Sequence, residues 1–105
     1  MLLSCVFRAQ KTVADSAVSL VTTDFTPNRK TDTYNVYYAD IQVTAGDIRV
    51  TADGSTDPTT SKGVIWYVGQ TKRVWGITNL TNLKFIRDGA DSAVLEVEYW
   101  GGPPR

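Results

Sequence analysis

The chain has 105 residues, of which 42% are hydrophobic and 21% charged, and its eleven basic and eleven acidic residues give a formal net charge of zero. This length and composition are typical of one globular domain and exclude an intrinsically disordered chain. Because a zero net charge provides no overall field for phosphates or anionic lipids, neither nucleic acid nor a membrane is expected as a partner.

The sequence contains no histidine and one cysteine, Cys5. Ser-His and Cys-His nucleophile pairs, histidine-ligated metals and a disulfide framework within these residues are therefore excluded. We expect a protein that is not an enzyme and that holds no cofactor. The flanks of Cys5, which are Leu3 and Val6, predict a buried thiol. No apolar stretch reaches the length of a signal-peptide core or a membrane span, which predicts a protein that stays outside the secretory pathway.

Strand signals begin weakly in the N-terminal third. Residues 5–9 and 19–23 are predicted strands, and residues 27–32 are a predicted exposed loop. Residues 13–20 are the one stretch with an alternative helical interpretation.

A regular alternation of apolar and polar residues starts at residue 37. It runs through residues 37–44 and again through residues 47–52. The residues predicted to face the core are Tyr37, Ala39, Ile41 and Val43 in the first run and Ile48, Val50 and Ala52 in the second. The turn residues Ala45 and Gly46 separate the two runs. They predict a β-hairpin over residues 39–52.

Four further strands are predicted in the second half of the chain, at residues 64–68, 74–77, 83–87 and 93–100. Turn residues at 88–91 predict a second hairpin between the last two of these strands, over residues 83–99.

About eight short strands predict an all-β domain, an antiparallel β-sandwich with a jelly-roll-like arrangement. We expect a single domain over residues 1–100. The final sequence Gly-Gly-Pro-Pro-Arg predicts a flexible tail over residues 101–105.

Three tryptophans and five tyrosines are more than one small core can hold. Where Tyr37 and Tyr99 face inward, their neighbours Tyr38 and Trp100 face outward and present flat aromatic surface. Exposed aromatic residues are typical of interfaces. The predicted interface residues are Tyr38, Trp66, Trp75 and Trp100.

The carboxylates offer a weaker case for chemistry. Glu96 and Glu98 share one face of a predicted strand, about 7 Å apart, which is near the separation in an inverting glycosidase. They lie side by side on one ribbon, however, and a glycosidase needs them on opposite sides of a sugar. Asp53 and Asp57 lie in a loop that lacks the acid density of a calcium site and is interpreted as two tight turns.

Four segments carry a resemblance to a known class of protein. They are DIRVTADG at residues 47–54, DPTTSKG at 57–63, FIR at 85–87 and LEVEY at 95–99. This layout resembles small virion-associated proteins of tailed bacteriophages over residues 36–100. The resemblance implies a non-enzymatic structural protein of the virion, made in the host cytoplasm, such as a capsid decoration or cement protein or a head or tail appendage.

The same resemblance implies the partners. They are further copies of the chain, in a homo-oligomer held by β-edge and aromatic contacts, and other virion proteins such as the major capsid protein. No small-molecule substrate is expected.

Two other classes remain open. The Asp-Gly and Asp-Pro-Thr turns are also similar to those of β-sandwich modules attached to chitin-degrading and other carbohydrate-active enzymes. That likeness implies a carbohydrate-binding module whose exposed tryptophans stack on sugar rings. A small carboxylate-dependent hydrolase is the third class.

Overall fold

The computed structural model describes residues 3–25 and 35–102. Two antiparallel four-stranded sheets pack face to face, which confirms the predicted all-β sandwich of about eight strands. The strands are β1 (Ser4–Val13), β2 (Val18–Ser19), β3 (Asn35–Ala45), β4 (Ile48–Thr51), β5 (Val64–Trp66), β6 (Thr71–Trp75), β7 (Lys84–Arg87) and β8 (Ala93–Gly102).

The large sheet has the strand order β1-β8-β3-β6, and the small sheet has the order β2-β7-β4-β5. Each strand pairs with the one that mirrors its place in the sequence, so that β1 pairs with β8, β2 with β7, β3 with β6 and β4 with β5. Contacts of β3 with β8 and of β4 with β7 complete the sheets. A long two-stranded ribbon rolled into two sheets has this pairing, which is that of a jelly roll.

Both predicted hairpins, over residues 39–52 and 83–99, are wrong. β3 and β4 lie in different sheets, as do β7 and β8, so the turns between them carry the chain across the sandwich. At the first crossing Gly46 has a φ of +66°, which glycine adopts without steric cost. Alternation shows which side of a strand is buried, and it is the same for two paired strands and for two strands stacked across a core.

The core lies between the inner faces of the sheets. The alternation predicted for β3 and β8 is confirmed, since Ile41, Val43, Leu95 and Val97 are all fully buried. Their largest buried neighbour is Tyr99, which contacts the ring of Phe25 with centroids 5.7 Å apart. The bulge between Val36 and Tyr38 shifts the register of β3 against β8 and brings Val36 into the core.

A short helix and a longer final strand differ from the sequence expectation. The helix α1 (Ile77–Asn82) begins where a strand was predicted to end, and residues 13–20 hold the end of β1 and all of β2. No described helix is long and apolar enough to cross a membrane.

The predicted tail boundary at residue 101 falls inside β8, which runs to Gly102. A Cβ on Gly101 would overlap the carbonyl oxygen of Asn35, so glycine here permits a close approach of β3. Residues 103–105 of that tail and the predicted loop at 27–32 lie outside the described residues.

Candidate functional site

The outer face of the large sheet carries side chains in three rows that run across its strands, because the strand registers align. We call it the banded face, and successive rows lie about 7 Å apart along the strands. The aromatic row is Trp100, Tyr38 and Trp75; the ionic row is Arg8, Glu98, Asp40 and Arg73; the polar row is Gln10, Glu96, Gln42 and Thr71.

The aromatic row brings together three of the four predicted interface residues. The ring centroid of Tyr38 lies 4.4 Å from that of Trp75 and 6.2 Å from that of Trp100, with an angle of only 9° between Tyr38 and Trp100. The expectation that Tyr38 presents an exposed ring is wrong, since it is 7% exposed. The guanidinium of Arg73 lies 4.3 Å above its centre, and the tryptophans flank it. Trp75, which is 55% exposed, is the main open surface of the row.

The ionic row is held by paired charges. Arg73 donates two hydrogen bonds to Asp40, from Nε to Oδ1 at 2.8 Å and from Nη2 to Oδ2 at 3.1 Å. This contact raises the pKa of Arg73 above its usual value. Arg8 lies 3.5 Å from Glu98 and 3.7 Å from Glu96. Exposed pairs of this kind add little to stability, so their main effect is to fix the direction of the planar groups.

A shallow groove of about 230 Å³ runs between the ionic and polar rows. In the polar row Gln10 donates from Nε2 to Glu96 Oε1 at 2.7 Å. The groove is lined by residues of all four strands of the sheet, namely Arg8, Asp40, Gln42, Thr71, Glu96 and Glu98. Side chains far apart in the sequence therefore face one shared space.

The structure places Trp66 elsewhere, at the edge of the small sheet. Its ring faces inward and packs on Phe85, with centroids 6.0 Å apart. With Val64 it lines an apolar groove of about 490 Å³ beside Val50 and Leu83. Trp66 is thus separated from the other three predicted interface residues.

Exposed apolar residues lie on both sides of Trp66, in β5 and in the turn that follows it. Val64 is 67% exposed, Tyr67 52% and Val68 53%. The turn is held in place because the amide of Val68 donates to Asp47 Oδ1 at 2.8 Å. We call residues 64–68, with the sequence Val-Ile-Trp-Tyr-Val, the open edge.

The other sheet edges are protected against pairing. Lys11 of β1 lies opposite Leu95, and Lys72 of β6 lies opposite Ile41, so both lysines are on the inward face of an edge strand. An inward charge at an edge discourages pairing with another chain. β2 is protected by its length of two residues. β5 is also short, with three residues, but it contains no charged residue and leads into exposed apolar residues.

The remaining candidate groups are occupied by local contacts. The carboxylate of Asp53 accepts hydrogen bonds from the amides of Ser55 and Thr56 and from the Thr56 hydroxyl, and these bonds lower its pKa to about 2. Within residues 3–25 and 35–102, no cluster of three or more potential metal-ligating side chains occurs. Cys5 is exposed, which corrects the predicted buried thiol, and partial desolvation together with Glu98 raises its pKa.

Sequence reasoning missed Asp40 and Arg73 as members of a site. Alternation places Asp40 on the outer face of its predicted strand, but Arg73 lies just before the predicted strand at 74–77, and only the register of β3 against β6 makes the two residues neighbours. Comparisons with protein-family models, curated proteins and solved structures found no match.

Proposed function

We propose that this protein is a non-enzymatic structural protein of a virus particle, a capsid decoration or cement protein or a head or tail appendage of a tailed phage. The open edge is the observation that carries the proposal. Five consecutive apolar residues lie along and just beyond a sheet edge that carries no charged residue, and surfaces of this kind are typical of contacts between proteins.

The first partner that we propose is a second copy of the chain. Antiparallel pairing of two β5 strands about a twofold axis beside Ile65 would extend the small sheet from four strands to eight. It would place Val64 of one copy opposite Trp66 of the other and cover both apolar grooves. The contact combines β-edge hydrogen bonds with aromatic packing, as the sequence predicts.

The second partner is the particle itself. Jelly rolls occur in viral capsid proteins, and also in lectins, so the fold is compatible with this function without deciding it. The exposed Tyr67 and Val68 lie in the turn after β5 and would remain beside the paired edge, where they can contact a shell protein. Aromatic residues are enriched in such interfaces.

Sedimentation velocity over a range of concentrations tests the edge. The substitution Val64→Lys places a charge on β5 like those that protect β1 and β6. We expect the wild type to self-associate and Val64→Lys to remain monomeric. The matched control is Trp75→Ala, which removes an exposed aromatic side chain from the banded face and should leave association unchanged.

Purified phage particles test the location. We expect the protein in many copies per particle, and we expect Val64→Lys protein to fail to bind particles that lack it. A chain that oligomerises only on its shell would appear monomeric in solution but would still bind particles. Absence of the protein from particles would by itself refute the virion proposal, and association that Val64→Lys leaves intact would refute the open edge as the contact between copies.

A further inference from the structure

We infer that the banded face binds a neutral saccharide chain. This site is separate from the open edge, and the inference does not depend on the virion function. Three observations carry it: an exposed tryptophan held in a fixed position, hydrogen-bond donors and acceptors beside it, and a nearly balanced local charge.

Trp75 provides a rigid stacking platform. Its ring packs on Tyr38 at 4.4 Å, and its backbone carbonyl accepts a hydrogen bond from Asn79 Nδ2 at 2.8 Å. The next residue, Gly76, donates its amide to the carbonyl of Tyr37 at 2.8 Å. Half of the Trp75 side chain is nevertheless exposed. The electron-rich face of an aromatic ring attracts the polarised C–H groups on the flat face of a pyranose.

The ionic row next to this platform provides both hydrogen-bond donors and acceptors for sugar hydroxyls. A hydroxyl both donates and accepts, so it is best bound where acceptors and donors alternate. Asp40 and Glu98 keep acceptor lone pairs after pairing with arginine, and Arg73 and Arg8 have further N–H donors. Because Arg73 and Asp40 already hold each other in place, binding a sugar beside Trp75 would order few side chains.

The extent of the face suits a chain of sugars better than a single ring. Four strands about 4.8 Å apart carry the rows over about 14 Å. From Trp75 on β6, the ionic and polar rows lead across the groove to Arg8 on β1. A saccharide chain lying across the strands would stack one ring on Trp75 and place later rings over the groove.

The charges of the rows select against anionic ligands. Two arginines, Arg8 and Arg73, face three carboxylates, Asp40, Glu96 and Glu98, which leaves one net negative charge. Sulfated or carboxylated glycans and nucleic acids would meet acceptor oxygens that repel them. A neutral glycan carries no such penalty.

Isothermal titration with soluble hexasaccharides tests the site. The neutral probes are cello-, xylo-, manno- and N-acetylchito-hexaose, and a heparin-derived hexasaccharide is the anionic probe. We expect at least one neutral probe to bind and to change tryptophan fluorescence, with an affinity that is nearly constant between low and high salt. The heparin fragment should not bind.

Substitutions then locate the binding. Trp75→Ala should weaken the affinity about tenfold or more, and Trp75→Tyr should restore part of it. The matched control is Tyr67→Ala, because Tyr67 is 52% exposed, close to the 55% of Trp75, and lies outside the banded face. Val64→Lys should bind the saccharide like the wild type, so failure of edge association and failure of saccharide binding are separate results.

The inference is overturned if none of the neutral probes binds to the folded protein, or if only the heparin fragment does. Binding that Trp75→Ala leaves intact, or that Tyr67→Ala weakens equally, would also overturn it. Thermal unfolding of each variant shows whether it is folded in the titration.

Discussion

The hydroxyl of Tyr37 and the indole N–H of Trp100 are buried, and neither has a hydrogen-bond partner among the described residues. Tyr37 lies at the bulge where β3 shifts its register against β8. A buried polar group without a partner costs about 1–3 kcal/mol, so these two atoms reduce the stability of the sandwich.

Removing the unpaired hydroxyl should therefore stabilise the protein. We expect Tyr37→Phe to raise the free energy of unfolding by about 1 kcal/mol, because the substitution removes the desolvated oxygen and keeps the ring. Urea unfolding measures the change. In the control, Tyr67→Phe, the lost hydroxyl belongs to an exposed residue and the free energy should not change. A destabilised Tyr37→Phe variant would contradict the assignment.

The carboxylate of Asp53 should make the loop after β4 sensitive to acid. Its pKa is about 2 in the folded protein, below the usual 3.8, so the unfolded chain takes up a proton first as the pH falls. The stabilisation is present above the unfolded value and is lost on acidification towards pH 2.

We expect Asp53→Asn to unfold with a smaller loss of stability between pH 4 and pH 2 than the wild type, since its side chain does not titrate. Urea midpoints measured at a series of pH values in this window provide the comparison. Asp91→Asn, in the exposed turn before β8, is the control. Equal acid sensitivity of Asp53→Asn and the wild type would show that the Asp53 bonds do not stabilise the fold.

At the scale of the elements, Gly101 determines how closely β3 and β8 approach. We expect Gly101→Ala to destabilise the fold by about 3 kcal/mol, because its Cβ would overlap the carbonyl oxygen of Asn35 and force the strands apart. In the control, Gly89→Ala, no atom outside the residue and its two chain neighbours lies within 4 Å of the added Cβ, so thermal unfolding should be nearly unchanged. Similar melting temperatures for the two variants would contradict the close approach.

Single strands could be predicted from the sequence, but their neighbours could not. Alternation identified Ile41 and Leu95 as core residues, because the sequence of each single strand shows which of its faces is apolar. It could not show that the turn at Gly46 crosses the sandwich, since turn residues favour tight reversals of either kind. Gly101 was interpreted as a strand end, although glycine within a strand also marks close backbone approach.

The candidate site was predictable to a similar degree. Outward-facing aromatic residues followed from period two, and Tyr38, Trp75 and Trp100 do share a face. Two features depend on which strands are adjacent, and adjacency is set by pairing across the whole chain. They are the separation of Trp66 from the other three aromatic residues and the position of Arg73 over the ring of Tyr38.

At the scale of the whole molecule, mirrored pairing makes most strand contacts distant in sequence. Among the strands that the structure describes, only β4 and β5 pair with a strand next to them in the chain. Because such contacts close long loops, we expect refolding in milliseconds to seconds, which stopped-flow tryptophan fluorescence can follow. Complete refolding within microseconds would contradict a transition state that requires these distant pairs.

The pairing of Ser4 with Gly101 also has a consequence during synthesis. Ribosomes add roughly 5–20 residues per second, so β1 waits roughly 5–20 s for the strand beside which it lies. Throughout that time β1 has no paired strand in its own chain and can contact other nascent chains. Lys11, which is on the inward face of β1 in the finished sandwich, is then a charge near the C-terminal end of that strand, and it would act as a gatekeeper against aggregation before the fold exists.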